Sequence, residues 1–212
     1  MSRVLAFGCS LTYGDGLSDC SVIKNGKYLC HGDKPSQYSW PNLVAKKLGV
    51  KCENHAAPGS SNKQIALTIL GCSFEENDIV LINWSFVERY CIVDPNHHYK
   101  QISPNIKNNF STYYTKFHLK FGNNYNSMID SLLQITAADS HLKKFTKNVY
   151  HYLTDDSQYN DLPAWFKVDI TGKSFETLYS KSLGLDNSHP GHDGHKAFAK
   201  VVLKNIKENR HD

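Results

Sequence analysis

The sequence predicts an α/β domain built on a mostly parallel sheet, and three observations carry that expectation. Strand-like and helix-like segments alternate from Arg3 to Trp84, which is how parallel strands are connected. The run Asp78-Ile79-Val80-Leu81-Ile82-Asn83-Trp84 is apolar on consecutive positions, the mark of a strand covered on both faces. The chain closes on Lys196-Ala197-Phe198-Ala199-Lys200-Val201-Val202-Leu203-Lys204-Asn205-Ile206, whose apolar positions recur every three to four residues, as on an amphipathic helix.

Residues 3–7 read as a buried first strand ending at Gly8. Gly8-Cys9-Ser10-Leu11-Thr12-Tyr13-Gly14 then offers the small residues that a sharp strand-to-helix turn needs. From Asp15 to Ser39 the chain is polar and reads as an excursion loop around the mouth of a site. A helix is expected over 40–49, with Pro41 in its first turn and Gly49 as its stop, and with Trp40 anchoring the core. Residues 50–53 form a short strand, 54–62 a turn, and 63–70 another helix. The strand at 78–84 is expected at the centre of the sheet. Beyond Arg89 the pattern weakens, and 95–126, rich in Asn, Lys, Tyr and His, reads as loops with a short aromatic-bearing segment. Residues 125–133 and 137–152 show broken helical periodicity, and 149–153 serves equally as a strand. Gly191-His192-Asp193-Gly194 leads into the last helix.

With 212 residues, 40% of them hydrophobic, the chain can fill one sizeable core, so a single domain over 1–212 is expected, with a loop-rich insertion around 94–160. The net charge of +4 comes from 24 basic residues spread along the chain. A basic block is missing, and nucleic acid is not an expected partner. No apolar run approaches the roughly 18–20 residues needed to cross a bilayer, and Met1-Ser2-Arg3 leads directly into a strand instead of a secretory leader. A protein without a membrane span, located in the cytoplasm, is the expectation. The six cysteines, at 9, 20, 30, 52, 72 and 91, lack the spacing of a disulfide scaffold or a zinc ribbon. Reduced thiols are expected, with Cys20 and Cys30 the one pair suited to bridging a flexible loop.

A serine is a weak nucleophile unless a base takes its proton, and the base needs a third group to orient it. Ser10 opens a Gly-flanked turn after a buried strand, the carboxyl-terminal edge where α/β proteins place ligands. Asp186-Asn187-Ser188-His189-Pro190 sets an acid and a base three apart, a spacing at which a tight turn brings carboxylate to imidazole. Each signal alone is weak, because Gly-x-Ser turns are common and Asp-x-x-His also occurs in helix-capping loops. Their order along the chain, with Gly59 and the Asn83-bearing strand end between them, gives them weight.

With these residues in view, the chain resembles the SGNH/GDSL hydrolase family. Gly8-Cys9-Ser10-Leu11-Thr12 is similar to the family's Gly-Asp-Ser-Leu block, with Cys9 in place of Asp. Asn54 through Gly59 is similar to its second block, and Asp186 to Pro190 matches Asp-x-x-His-Pro. The resemblance implies a three-layer αβα sandwich with a mostly parallel five-stranded sheet, the flavodoxin-like SGNH fold. It also implies that Ser10 is the nucleophile, His189 the general base, Asp186 its orienting acid, and the Ser10 and Gly59 amides oxyanion donors. The third block departs. Where the family has Gly-x-Asn-Asp, this chain has Trp84-Ser85-Phe86-Val87, and Phe86 has no side-chain amide to donate. Asn83 is a candidate substitute, alongside its reading as a structural amide. Trp84-Ser85 followed by Arg89 is similar to family members common in bacteriophage genomes. Trp84 and Arg89 are candidate substrate contacts, Arg89 for an anionic group.

The implied activity is hydrolysis of a carboxylic ester, a short acyl or carbohydrate O-acetyl ester, through an acyl-enzyme at Ser10 without a cofactor. Two alternatives stand beside it: an acyltransferase on the same residues, and a catalytically silent binding module. No metal is expected, because His189, His192 and His195 with Asp193 lack ligand spacing. Cys9 reads as packing behind the turn. His97 and His98 read as solvated loop, and Tyr113-Tyr114, Phe117, Phe121 and Trp165-Phe166 as packing aromatics that can also line a pocket.

Overall fold

The computed structural model describes residues 2–93, 99–102, 124–155, 159 and 162–209. Its centre is a five-stranded sheet built from β1 (Arg3–Phe7), β4 (Lys51–Asn54), β5 (Ile79–Trp84), β8 (Val149–Leu153) and β9 (Ile170–Lys173), in the order β4-β1-β5-β8-β9. Each neighbouring pair is parallel, and β5 is central as expected. Its residues divide between two cores. Ile79 and Leu81 join the cluster formed with α2 (Trp40–Leu48) and α6 (His192–Glu208), while Val80, Ile82 and Trp84 face α3 (Asn62–Leu70) and α4 (Asn124–Leu142). Burial on both faces is why the strand is apolar without alternation.

At the amino-terminal edge of the sheet, Arg3 bonds the buried Asp78 carboxylate and Glu53, tying β1 to the starts of β5 and β4. Trp40 is fully buried against Tyr152 and Phe198. Two antiparallel hairpins lie outside the sheet: β2 (Ser21–Lys24) with β3 (Lys27–His31), and β6 (Tyr90–Val93) with β7 (Tyr99–Ile102). A four-residue α1 (Ser10–Tyr13) follows β1, and a four-residue α5 (Phe175–Leu178) follows β9.

Four sequence readings change. The polar stretch 15–39 contains the β2–β3 hairpin. The first broken helical segment and the start of the second, as far as Leu142, are one helix, α4, and 149–153 is the strand β8; the inward face of α4 mixes Met128, Leu132, Ile135, Ala138 and Leu142 with the buried Ser127, Ser131 and Asp139. Those inward polar residues interrupt the apolar period. Residues 124–153, inside the stretch read as an insertion, supply α4 and β8 of the main layers; the remainder of that stretch falls largely outside the described residues, as do His97, His98, Tyr113, Tyr114, Phe117 and Phe121. The last helix begins at His192, ahead of the expected 196. Cys20 is buried and Cys30 exposed, and both are free thiols rather than a bridge. Among the described residues no helix is long and apolar enough to cross a membrane.

Candidate active site

The backbone reverses immediately after β1. Cys9, in extended conformation, caps α1, and Gly14 in the left-handed region ends it, its amide donating to the Ser10 carbonyl at 2.9 Å. Cys9 is fully buried with Leu11, Trp40 and Val44, so the thiol packs behind the turn and Ser10 occupies the first helical position, 5% exposed. Beside it, Ala57 donates to the Gly8 carbonyl at 3.3 Å, and Ser60 to the Ala57 carbonyl at 3.2 Å. Pro58 and Gly59 are the central pair of that turn, and Gly59, at φ 77°, takes the position that favours glycine. Among the described residues neither the Ser10 nor the Gly59 amide donates to an acceptor.

The loop before α6 folds on itself. Leu183 bridges Pro190, Gly184 donates to the His189 carbonyl at 2.7 Å, and Asn187 adopts φ 56°. Inside this loop the Asp186 carboxylate receives the Ser188 hydroxyl at 2.7 Å, the Ser188 amide at 3.1 Å, the His189 amide at 3.0 Å and the His189 Nδ1–H. Burial opposes its charge, but these donors, His189 first, overcome burial and hold the carboxyl far below the usual carboxylate range. A carboxylate only accepts, so the bond fixes the proton on Nδ1 and leaves Nε2 as the basic nitrogen. The Asp186 side chain is 4% exposed and that of His189 24%.

These two segments, from opposite ends of the sequence, meet at Gly16. Leu185 donates to the Gly16 carbonyl at 2.7 Å. A Cβ added at Gly16, whose φ is 84°, meets Asp186 Oδ1 at 2.7 Å and His189 Cβ at 3.1 Å, so only glycine permits the approach. The Ser10 hydroxyl forms no hydrogen bond with the described residues, and neither does His189 Nε2.

The end of β5 differs from expectation. Trp84 is fully buried and its indole donates to His151 at 3.1 Å; it is a core residue, which corrects its reading as a substrate contact. Asn83 is also fully buried. Its Oδ1 accepts from Ser174 at 2.9 Å, and its Nδ2 is enclosed without a partner. That enclosure makes it a strut between β5 and the segment after β9, sealed from any bound oxyanion in this conformation. Arg89 donates to Ser85 Oγ at 3.1 Å and lies 4.9 Å over the Phe86 ring. Phe86 meets Phe175 edge-on, and Phe175 stacks on Tyr179. Burial first, then the nearness of Cys9 and Asp186, push the Tyr179 phenol up to about 12, with Arg89 acting in the opposite sense. Arg89 and this aromatic row thus stand at the same end of the sheet as Ser10 and Asp186.

The other histidines of the last block point elsewhere. His195 is fully buried and accepts from the Trp40 amide at 3.1 Å; burial, then its neighbours His192 and His189, push it down to about 3. His192 meets Ser18 and Tyr38. Trp165 is exposed, whereas Phe166 is in the core. Asp15, Asp186 and His189 bring three potential ligand atoms within 4.8 Å of one another, but the Asp186 oxygens are already taken by four donors, which favours a hydrogen-bonded pair over an open metal site. Sequence reasoning missed Asp15, Ser188 and Tyr28 at this junction. An acid set between two glycines, Gly14-Asp15-Gly16, is the signal that points to the first.

No protein-family model and no curated protein sequence matches the chain. Solved structures do. Over 99% of its length the chain is similar to an acetyl xylan esterase (Est2A) from the rumen bacterium Butyrivibrio proteoclasticus, at 12% identity and TM-score 0.58, and it spans 64% of that protein. Over 97% it is similar to a lipase from a goat rumen metagenome, at 10% identity and TM-score 0.53, with 97% of that chain covered. Over 96% it is similar to a member of the lipolytic protein G-D-S-L family from Veillonella parvula, at 12% identity and TM-score 0.50, with 97% of that chain covered. The chain has the fold of these SGNH/GDSL-type esterases and lipases: a parallel five-stranded sheet held between helices.

Proposed function

We propose that the protein hydrolyses a carboxylic ester by nucleophilic catalysis at Ser10. The observation that carries this reading is the junction at Gly16, where the loop holding the Asp186–His189 pair is fastened to the turn that begins with Ser10. In the reaction, Ser10 Oγ attacks the ester carbonyl while its proton passes to His189 Nε2. The negative charge on the tetrahedral oxygen is met by the Ser10 and Gly59 amides, and the bond to the alcohol breaks as that proton is delivered to it. Water, deprotonated by the same nitrogen, then attacks the acyl-serine and releases the acid. Asp186 stays ionised and holds the imidazole in one tautomer.

Short acyl or carbohydrate O-acetyl esters are the proposed substrates, supported by the esterases among the structural relatives. Arg89, half-buried on Phe86, is the proposed contact for an anionic group of the substrate. The cytoplasm is the proposed location.

A second reading has its own observation. The Ser10 hydroxyl has no hydrogen bond to His189, and Phe86 stands where the family has Asn, a combination that suits a silent binding module. Fluorophosphonate labelling of wild type, Ser10→Ala and His189→Ala, with p-nitrophenyl acetate turnover on the same samples, separates the two. Labelling and turnover in wild type, lost in both variants, is the expected result. A folded wild type that neither labels nor turns over sinks the hydrolase and favours the binding module. Product transfer to added alcohols in place of water identifies an acyltransferase.

A further inference from the structure

The mechanism above leaves a buried acid beside the Asp186–His189 pair without a role. Asp15 is 5% exposed and directly precedes Gly16. Its Oδ1 accepts from the Tyr28 hydroxyl at 2.7 Å and from the Gly16 amide at 3.0 Å. Tyr28 arrives from β3, in a hairpin fastened at its base where Gly32 donates to the Cys20 carbonyl at 2.6 Å and the Tyr13 hydroxyl to the Gly32 carbonyl at 2.7 Å. Burial, then the bond to Asp15, hold the Tyr28 phenol well above its ordinary value, so it remains a donor. One oxygen of Asp15, one of Asp186 and one ring nitrogen of His189 lie within 4.8 Å of one another.

A single carboxylate is enough to fix an imidazole's tautomer. A second one, enclosed at this range, acts on the ring's charge, because opposite charges a few ångströms apart in a poorly solvated site attract strongly. We propose that Asp15, held in place by Tyr28, is a positioning residue that works through His189. Its negative charge stabilises the imidazolium formed when Ser10 loses its proton. Asp15 itself neither gives nor takes that proton. The inference rests on the catalytic reading of Ser10 and His189.

Among the described residues, the titratable groups around His189 are few. Asp186 comes from its own loop, Asp15 from the turn after α1 with Tyr28 behind it, and His192 and His195 from α6; Tyr179 faces Asp186 from beyond α5. Of these, Asp15 is the one carboxylate besides Asp186, so its removal is the direct test.

The experiment follows the His189 ring by nitrogen NMR against pH in folded wild type, Asp15→Asn, Tyr28→Phe and Asp15→Glu, and measures kcat/KM for p-nitrophenyl acetate over the same range. In Asp15→Asn the His189 midpoint and the acid limb of the rate profile move down together by about 0.5–1.5 pH units, while the plateau falls by about 5- to 50-fold. A merely structural role lowers the plateau without moving the midpoint. Tyr28→Phe, which frees the carboxylate to drift toward water, gives a smaller shift in the same direction, and Asp15→Glu restores much of the midpoint. An unmoved His189 midpoint in folded Asp15→Asn overturns the proposal, and if that variant does not fold, an unmoved midpoint in Tyr28→Phe does so. A His189 titration that responds to Asp15→Asn in a protein without turnover leaves the electrostatic link standing and removes the hydrolase reading instead.

Discussion

Asp186–His189 and Asp139–His151 are the same two side chains in two settings. His151 is sealed between β8 and α4, 3% exposed, with Nε2 donating to Asp139 at 3.2 Å and Nδ1 accepting from the Trp84 indole at 3.1 Å. Both ring nitrogens are spent. Asp139 also receives Lys143 at 2.7 Å; burial opposes its charge, and His151 and Lys143 outweigh it, so its carboxyl lies below the usual value. In the other pair the carboxylate is equally well held, but His189 keeps one nitrogen without a partner among the described residues and a side chain 24% exposed. The aspartate–histidine contact is therefore no mark of chemistry by itself. The nitrogen left over is, together with a hydroxyl at the same edge of the sheet.

Exchanging the acids is the strongest way to break this comparison. Asp186→Asn is expected to lower kcat by about 10⁴-fold by releasing the tautomer, and to lower the urea midpoint as well, because its depressed carboxyl value marks a charge that the fold stabilises. Asp139→Asn is expected to leave turnover within about threefold and to cost about 1–3 kcal/mol of stability, because a buried imidazole N–H loses its acceptor. Turnover and urea denaturation on both variants read the contrast. A catalytic loss at Asp139, or full turnover in Asp186→Asn, dissolves it.

The smallest effect is on acid stability. Both carboxyls have folded-state values below their unfolded ones. Each contributes stability that is fully present above the unfolded value, about 3.9, and is lost as pH falls through the lower folded value. Above about pH 5 neither carboxyl should tilt the urea midpoint, and below about pH 4 both should. Asp→Asn at either site flattens the slope in that acid window, and an equal slope in wild type and both variants refutes the assignment.

Much of this was legible in the sequence, for reasons that particular residues make plain. The continuous apolar run of β5 and the Pro41…Gly49 bracket of α2 are local signals, and they gave the central strand and a helix ending within one residue of expectation. The edge strand β9, Ile170-Thr171-Gly172-Lys173, was invisible because one short, polar, glycine-bearing segment pairs on a single side. Ser10, Asp186 and His189 were legible as a motif, whereas Trp84 was misjudged, and the structural reading of Asn83 stood beside a functional one, because position at a strand end does not say which face a side chain takes. Trp84 turns to the α3–α4 core, and Asn83 is closed over by Ser174. The link between Asp15 and Tyr28 was out of reach, since it depends on a hairpin folding back over the turn.

All five strands of the sheet end by Lys173, yet the loop of Asp186 and His189 and the helix behind it come afterwards. That helix delivers Phe198, Ala199, Val202 and Ile206 to one of the two cores. The loop that carries Asp186 and His189 therefore arrives in the same stretch of chain that roofs the sheet, so these side chains are placed only as that layer docks. On the proposed function, a chain cut before this loop keeps all five strands but lacks the proposed base, and is expected not to label at Ser10.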